Sequence, residues 1–280
     1  MKIVHDISLN VSGRRPERHG AMDTLRSLGI AFEGPDNDLA PLINFRIYES
    51  DPLWPELQPL LVKWEAFDGA GAEFSKEEIE AAAFLQLSAG QKGYPYPRPG
   101  SFGYLKATYD LTEYCEKCGG GKRQAAPFQM KSEPKWGKLR IFTLNWVFDQ
   151  FFVPPAVWDE VFRPLGIGRL PVLHYRTREE LQTVVQLEIT RTADSPLAMG
   201  DYPFEVCAVC GRKKFSPNPL GFFPRFVADP PYDICRTQEC FGSGAEARNA
   251  IIVSHKLYSA ILDHKVLPSE RFFTPLAPAI

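Results

Sequence analysis

The first part of the chain mixes strand-like and helix-like patterns of apolar residues. Residues 1–9 and Leu42–Tyr48 are predicted to be short strands, and apolar and polar positions alternate along the second of them. Residues 17–28, which lie between the two, are predicted to form a helix. The N-terminal part is therefore expected to combine strands with helices.

A second helix is predicted to begin at Ser75. Ser75 and Glu78 form the S-x-x-E capping box, and apolar residues follow at helical spacing as far as Leu87. The helix is expected to end before Gly90. Residues 93–100 read GYPYPRPG and are predicted to be extended or turn, because proline biases the preceding residue away from the α conformation. This proline-rich stretch is the predicted domain boundary.

The rest of the chain is predicted to be rich in strands. A short helix is expected to start at Pro154 or Pro155 and to run through Phe162, and Ser254 can cap another helix. Branched and aromatic residues predict strands at residues 139–143, 170–175, 183–189 and 249–253.

These elements predict an α+β fold with two parts. Residues 1–100 are expected to form a smaller, acidic α/β part, and residues 101–280 a β-rich domain with a mixed or antiparallel sheet. Charge separates the parts as well. Residues 1–110 hold 11 Lys+Arg and 16 Asp+Glu, a net charge of −5, so the remainder of this −2 chain carries +3.

Aromatic residues are dense between residues 142 and 162. They interleave with aliphatic residues, so the cluster is predicted to be core, and the alternative is a patch that binds a partner. The cluster comprises Phe142, Trp146, Phe148, Phe151, Phe152, Trp158 and Phe162.

Length and composition fit an ordinary globular protein. The 280 residues are 44% hydrophobic and 24% charged, which disfavours disorder, and the −2 net charge provides no global cationic field for nucleic acid. No apolar run approaches the length of a membrane span, and we expect a cytoplasmic protein without a membrane partner. A core of this size does not need disulfides, so the six cysteines are expected to be reduced.

Four of the cysteines form two C-x-x-C-G units: Cys115 with Cys118, and Cys207 with Cys210. The two-residue gap lets a tight turn aim both sulfur atoms at one tetrahedral ion, so the two units together predict an all-thiolate zinc site. Because four thiolates leave no open coordination position, we expect one structural zinc ion per chain and two zinc knuckles. A redox role for a C-x-x-C unit is the alternative.

The other two cysteines, Cys235 and Cys240, are either buried small apolar residues or substitute metal ligands. The sequence leaves both interpretations open. Basic residues near the C-x-x-C units suggest contact with nucleic acid, but cations are expected there in any case to offset the −2 charge of a zinc tetrathiolate. These basic residues are Lys117, Lys122, Arg123, Arg212, Lys213 and Lys214.

Catalytic patterns are weak in this sequence. The five histidines form no H-E-x-x-H, and neither G-x-S-x-G nor a complete dinucleotide-binding motif occurs. We therefore expect no enzymatic activity. An enzyme that uses His174 or His255 in a cleft between the two parts remains the alternative.

Further sequence features accompany the paired C-x-x-C-G units. They are Asp233-Ile234, Phe241-Gly242, the predicted strand Ile251-Ile252-Val253-Ser254 and a helix to Leu262. Together they resemble the double-CXXCG motif proteins, over about residues 110–277. In that family's pattern the first unit lies near the N-terminus, whereas more than 100 residues precede it here.

The resemblance implies that Cys115, Cys118, Cys207 and Cys210 are the paired motif cysteines. Members of that bacterial family are described as immunity proteins that protect a cell from a toxin exchanged with its kin. The expected function is therefore a zinc-stabilised, non-enzymatic immunity or antitoxin-like protein that binds a cognate protein toxin. The alternative is a zinc-ribbon protein that binds nucleic acid through the basic residues near the cysteines.

Overall fold

The protein is described from a computed structural model, which covers residues 1–12, 18, 20–34, 41–92, 103–217 and 220–278. The chain divides into two compact units: residues 1–78 with 218–222, and residues 79–217 with 223–280. Both contain more strand than helix, so the predicted α+β class is confirmed. The proline-rich stretch at residues 93–100 lies outside the described residues.

Most elements of the described chain are strands, and the helices are short. The first unit contains β1 (Lys2–Asn10), α1 (Ala21–Ser27), β2 (Leu42–Tyr48), α2 (Trp54–Lys63), β3 (Phe67–Glu73) and the start of α3 (Lys76–Glu80). The second unit contains β4 (Phe84–Leu87), β5 (Gln91–Lys92), α4 (Gly103–Thr108), β6 (Tyr109–Asp110), β7 (Arg123–Gln124), β8 (Gln129–Met130), β9 (Phe142–Leu144), β10 (Val147–Val153), α5 (Pro155–Val157), β11 (Gly168–His174), β12 (Glu180–Glu188), β13 (Phe204–Val206), β14 (Lys213–Phe215), β15 (Ile234–Phe241), β16 (Arg248–Ser254), α6 (His255–Asp263) and β17 (Phe273–Pro275).

The first unit is a three-stranded sheet in the order β2-β1-β3. Both pairings are antiparallel, so the predicted α/β character of this part is wrong and its class is α+β. Leu9 and Ile43 from the sheet, Leu25 from α1 and Leu57 from α2 are all fully buried in one core. The alternation along β2 puts every second side chain into that core, as the sequence predicts.

A buried arginine binds the carbonyl groups at the C-terminal end of α2 in the same unit. The Arg18 guanidinium donates hydrogen bonds to the Trp64 carbonyl at 2.6 Å, to the Asn10 carbonyl at 3.0 Å and to the Glu65 carbonyl at 3.2 Å. The side chain is 8% exposed. A cation at this position satisfies carbonyl groups beyond the helix end and complements the negative end of the helix dipole.

The capping box at the start of α3 is confirmed. The Glu78 amide donates to Ser75 Oγ at 3.2 Å, and the Ser75 amide donates to Glu78 Oε2 at 2.8 Å. The predicted continuation of this helix to Leu87 is wrong, because α3 ends at Glu80 and β4 follows. β4 buries Leu85 and Leu87 and pairs with β16 and β17, so sheet pairing overrides the local helical spacing. The chain therefore joins the second unit at residue 79, before the boundary predicted at residue 100.

The second unit contains two six-stranded sheets and a two-stranded hairpin. We call the sheet with the order β5-β9-β10-β12-β11-β8 the central sheet and the sheet with the order β13-β14-β15-β16-β4-β17 the terminal sheet. Parallel and antiparallel pairs occur in both, as expected for a mixed sheet. The hairpin pairs β6 with β7.

Each strand predicted in this part overlaps a strand of these sheets, and the helix predicted from Pro154 or Pro155 begins at Pro155. That helix continues as a π-helical turn over Trp158–Phe162. Of the aromatic cluster, Phe142, Phe151, Phe152 and Phe162 are fully buried, as predicted for core. Trp146 is 57% exposed, because it occupies the turn between β9 and β10 with a φ of 65°.

The longest described helix, α2, has 10 residues. Among the described residues, therefore, no helix has both the length and the apolar character that crossing a membrane requires.

Two serines of α6, one at its N-cap and one inside the helix, allow the N-cap to be tested with a matched control. Ser254 Oγ accepts the Leu257 amide at 3.2 Å and donates to Asp233 Oδ1 at 2.6 Å, whereas Ser259 Oγ, inside the same helix, only donates to the His255 carbonyl. We expect Ser254→Ala to lower the free energy of unfolding by about 1 kcal/mol, since it removes an N-cap. Ser259→Ala is expected to be nearly neutral, because alanine has the higher helix propensity. Urea unfolding of both variants is the measurement, and equal losses would contradict the capping role.

Candidate metal centre

Both C-x-x-C units occupy the tips of two-stranded hairpins. Cys115 and Cys118 lie between β6 and β7, in what we call the first cysteine hairpin, residues 109–124. Cys207 and Cys210 lie between β13 and β14, in the second cysteine hairpin, residues 204–215. The paired strands fix the ends of each loop, so each tip presents its two cysteines from a defined base.

The two tips use the same backbone turn. In the first, the Gly119 amide donates to the Cys115 carbonyl at 2.7 Å and the Cys115 amide to the Gly120 carbonyl at 2.8 Å. In the second, the Gly211 amide donates to the Cys207 carbonyl at 2.9 Å. The Cys207 amide donates to the Arg212 carbonyl, also at 2.9 Å. Gly119 and Gly211 have φ values of 77° and 71°, which favour glycine, so the C-x-x-C-G pattern encodes this turn.

The four sulfur atoms meet in one cluster. The Sγ atoms of Cys115 and Cys207 are 3.8 Å apart, those of Cys118 and Cys210 are 3.6 Å apart, and all four lie within 4.8 Å of one another. The two members of each close pair are 92 residues apart in sequence. The cluster is therefore able to hold a metal ion, as the spacing predicts, although the sequence could not show that the two tips meet.

Burial and backbone hydrogen bonds act on these thiols in opposite directions. Burial raises the pKa of Cys118 to about 12. The Arg212 amide donates to Cys210, which is exposed, and lowers its pKa to about 6, while the Cys210 and Val209 amides lower the pKa of Cys207. The second cysteine hairpin thus favours thiolates, and a bound cation would supply the charge that holds all four sulfur atoms ionised.

The first cysteine hairpin packs closely against the backbone at Ala245 and against its own backbone at Glu113. A Cβ atom at Gly119 would collide with the Ala245 carbonyl, and one at Gly121 would collide with the Glu113 carbonyl. A Cβ atom at Gly211 would meet nothing within 4 Å. The two tips therefore share a turn but differ in packing.

Several of the basic residues near the cysteines are engaged within the fold. Lys214 is 3% exposed and pairs with Glu205 at 3.0 Å, and Arg123 pairs with Glu113 at the same distance. Lys213 Nζ lies 3.7 Å from the centroid of the Phe204 ring. These contacts reduce the cationic surface that is left for nucleic acid around the site.

The two remaining cysteines lie outside the sulfur cluster. Cys235 is fully buried in an apolar core with Phe215 and Phe241. Cys240 is half-buried, and burial raises the pKa of its thiol. It lines a cleft with Lys122 and Arg123, which the sequence singled out as basic residues near the cysteines. The polar residues that the cleft takes from the two six-stranded sheets were not predicted, because they share no motif.

The two histidines considered for catalysis hydrogen-bond to the fold. His174 Nε2 contacts the Lys131 carbonyl at 2.9 Å and its Nδ1 contacts Thr177 Oγ1 at 3.1 Å. His255 Nδ1 contacts the Ala82 carbonyl at 3.1 Å. Each of the two rings is therefore hydrogen-bonded to nearby residues of the second unit.

Alanine substitutions at Gly119 and Gly211 distinguish the cost of backbone strain from the cost of a steric collision. We expect Gly211→Ala to cost about 1–2 kcal/mol of unfolding free energy, because alanine must adopt the left-handed conformation. Gly119→Ala should cost about 1–3 kcal/mol more, because its Cβ atom also meets the Ala245 carbonyl. Chemical denaturation measures both costs in unfolding free energy, and equal costs would contradict the tight packing of the first cysteine hairpin.

No protein-family model, no curated protein and no solved structure matches this chain. The candidate site is therefore defined by the structure alone. Two hairpins of the second unit bring four cysteine sulfur atoms close enough to hold a metal ion.

Proposed function

We propose that Cys115, Cys118, Cys207 and Cys210 bind one Zn²⁺ ion per chain. Four thiolates at about 2.3 Å from a tetrahedral ion stand about 3.8 Å from one another. The separations of 3.6 Å and 3.8 Å between sulfur atoms of the two hairpins support this geometry. Soft thiolate ligands favour zinc over magnesium and calcium, which prefer oxygen ligands.

The proposed zinc ion has a structural role. Four thiolates fill its coordination sphere and leave no position for water or substrate. Because the ion would join two hairpins that are distant in sequence, part of its binding energy becomes folding energy. A closed centre of this kind supplies no catalytic position at the metal.

We further propose that the protein is a bacterial immunity or antitoxin-like protein that binds and neutralises a cognate protein toxin in the cytoplasm. The proposed immunity function rests on the resemblance to the double-CXXCG motif proteins. An exposed apolar patch on the second cysteine hairpin supports binding of a protein. Phe204, Val206 and Val209 are 55%, 58% and 72% exposed there, and exposed apolar clusters of this kind mark interaction sites.

Charge on the first unit favours a basic partner. Residues 1–78 hold 8 Lys+Arg and 14 Asp+Glu, a net charge of −6, and the other residues of this unit are uncharged. An acidic surface attracts a basic protein over several ångströms in low salt. The rate of association with such a toxin should therefore fall as ionic strength rises.

Metal analysis of cysteine variants tests the zinc proposal. We expect one zinc ion per chain, and we expect Cys115→Ser and Cys210→Ser each to lose the ion and to unfold at lower denaturant concentration. Cys240→Ser is the matched control, because this cysteine lies outside the cluster and should keep the ion. Elemental analysis together with thiol titration measures both quantities. A folded, zinc-free protein with four reactive thiols would contradict the proposal, and iron in place of zinc would correct the identity of the metal.

A pull-down from native lysate tests the partner. We expect one stoichiometric protein partner without nucleic acid, and we expect Val209→Asp to abolish its capture, because a charge in an apolar contact must be desolvated. Val62→Asp is the matched control, since Val62 is equally exposed at 73% but lies on α2 of the first unit. Mass spectrometry identifies the protein, and the ultraviolet absorbance ratio of the eluate detects nucleic acid.

The same eluate decides between the proposed function and its alternative. Retention of nucleic acid in moderate salt would favour a zinc-ribbon nucleic-acid binder. Equal capture by the Val209→Asp and Val62→Asp variants would remove the second cysteine hairpin from the interface. An association rate independent of ionic strength would contradict the steering role of the acidic unit.

A further inference from the structure

A polar cleft lies within the second unit, beside the first cysteine hairpin. Its volume is about 560 Å³, within the range of about 300–1,000 Å³ that is typical of small-molecule sites. Its walls come from the central sheet, from the terminal sheet and from β7 with the loop before it. The cysteine cluster is thus next to the cleft, and none of its four cysteines is among the described residues that line the cleft.

Three glutamine side chains form the polar lining at one side of the cleft. Gln124 and Gln186 exchange two amide hydrogen bonds, of 2.9 Å and 2.7 Å, and Gln186 Nε2 also donates to Gln150 Oε1 at 2.9 Å. Gln186 is 1% exposed and Gln150 is 7% exposed. Buried amides of this kind are costly unless they are paired, so the network fixes the orientation of each side chain.

The Nε2 group of the Gln150 side chain has no hydrogen-bond partner among the described residues. Within the described part of the chain, its side chain takes part in the network through Oε1 alone, and the residue lines the cleft. The bond from Gln186 fixes the Gln150 side chain, and a donor at the edge of a cavity without a protein partner is left to water or a ligand. The Nε2 group of Gln150 is therefore a fixed hydrogen-bond donor for an occupant of the cleft.

Most charges around the cleft are already neutralised. Arg236 pairs with Asp149 at 2.9 Å, Arg123 pairs with Glu113, and Arg248 pairs with Glu246. Two lining charges have no such partner among the described residues.

These two charges are Lys122 and Glu188. The Lys122 ammonium group lies 5.7 Å from the centroid of the Tyr109 ring, and Glu188 follows Gln186 by two positions on β12, so both side chains share one face of that strand. Among the described residues that line the cleft, Lys122 and Glu188 are thus charges without an ion-pair partner, and Gln150 adds a fixed amide donor.

We propose that this cleft binds a small polar molecule that carries an oxyanion, either a carboxylate or a phosphate, together with N–H or O–H donors. Lys122 pairs with the oxyanion, Gln150 donates a hydrogen bond to a ligand oxygen, and Glu188 accepts from the ligand's donor groups. This site is separate from the apolar patch on the second cysteine hairpin, so it goes beyond the proposed toxin binding and does not depend on it.

Calorimetric titration of the 280-residue protein tests the site with two probes, each of which carries an oxyanion and hydrogen-bond donors. Ribose 5-phosphate supplies a phosphate with hydroxyl donors, and L-glutamate supplies carboxylates with an ammonium donor. We expect saturable binding of at least one probe, with a Kd below about 1 mM. Binding of ribose 5-phosphate alone assigns the oxyanion to a phosphate, and binding of L-glutamate alone assigns it to a carboxylate.

Variants locate the binding within the cleft. Lys122→Gln should weaken it about tenfold or more, because a charge-assisted contact is lost. Lys117→Gln is the matched control: it removes the same charge from the same hairpin, at a lysine that does not line the cleft. Gln150→Met keeps the side-chain length and should also weaken binding, and circular dichroism confirms that each variant is folded. Failure of both probes to bind, or equal effects of the two lysine variants, would overturn the proposal.

Discussion

The meeting of four cysteine sulfur atoms is the constraint on which the second unit depends. Each cysteine hairpin is short, and β6 and β7 have only two residues each, so neither hairpin has enough pairing to be stable alone. Their tips nevertheless converge until sulfur atoms from the two hairpins stand 3.6 Å and 3.8 Å apart. Four thiolates at that distance repel one another unless a cation lies between them, so the proposed metal ion and the closed arrangement of the hairpins would stabilise each other.

This constraint reaches the surroundings of the cluster through backbone packing. Gly119 and Gly121 lie against the carbonyls of Ala245 and Glu113, which leaves no room for side chains. The residues that follow them, Lys122 to Gln124, form one wall of the polar cleft. The position of that wall therefore depends on the same turn that presents Cys115 and Cys118. The proposed metal centre and the proposed binding site in the cleft would in this way be linked without any direct contact between metal and ligand.

Local sequence signals predicted those elements whose shape depends on near neighbours. The Ser75 capping box, the Ser254 cap and the alternation along β2 all appear as expected, because each involves residues within a few positions of one another. The errors occur where distant residues compete. The spacing through Leu87 is helical, yet pairing with β16 and β17 makes it a strand, and the turn at Trp146 exposes an aromatic ring that composition predicted as core.

The candidate site divides in the same way. The sequence by itself determined which four cysteines to consider and the turn that each pair adopts, because C-x-x-C-G spacing and the left-handed glycine are local properties. Only the tertiary structure decided that the two tips meet across 92 residues and that Cys235 and Cys240 stay outside the cluster. It alone also assembled Lys122, Gln150 and Glu188 around one cleft. The physical reason is that these placements follow from strand pairing and packing between remote segments, which no short stretch of sequence contains.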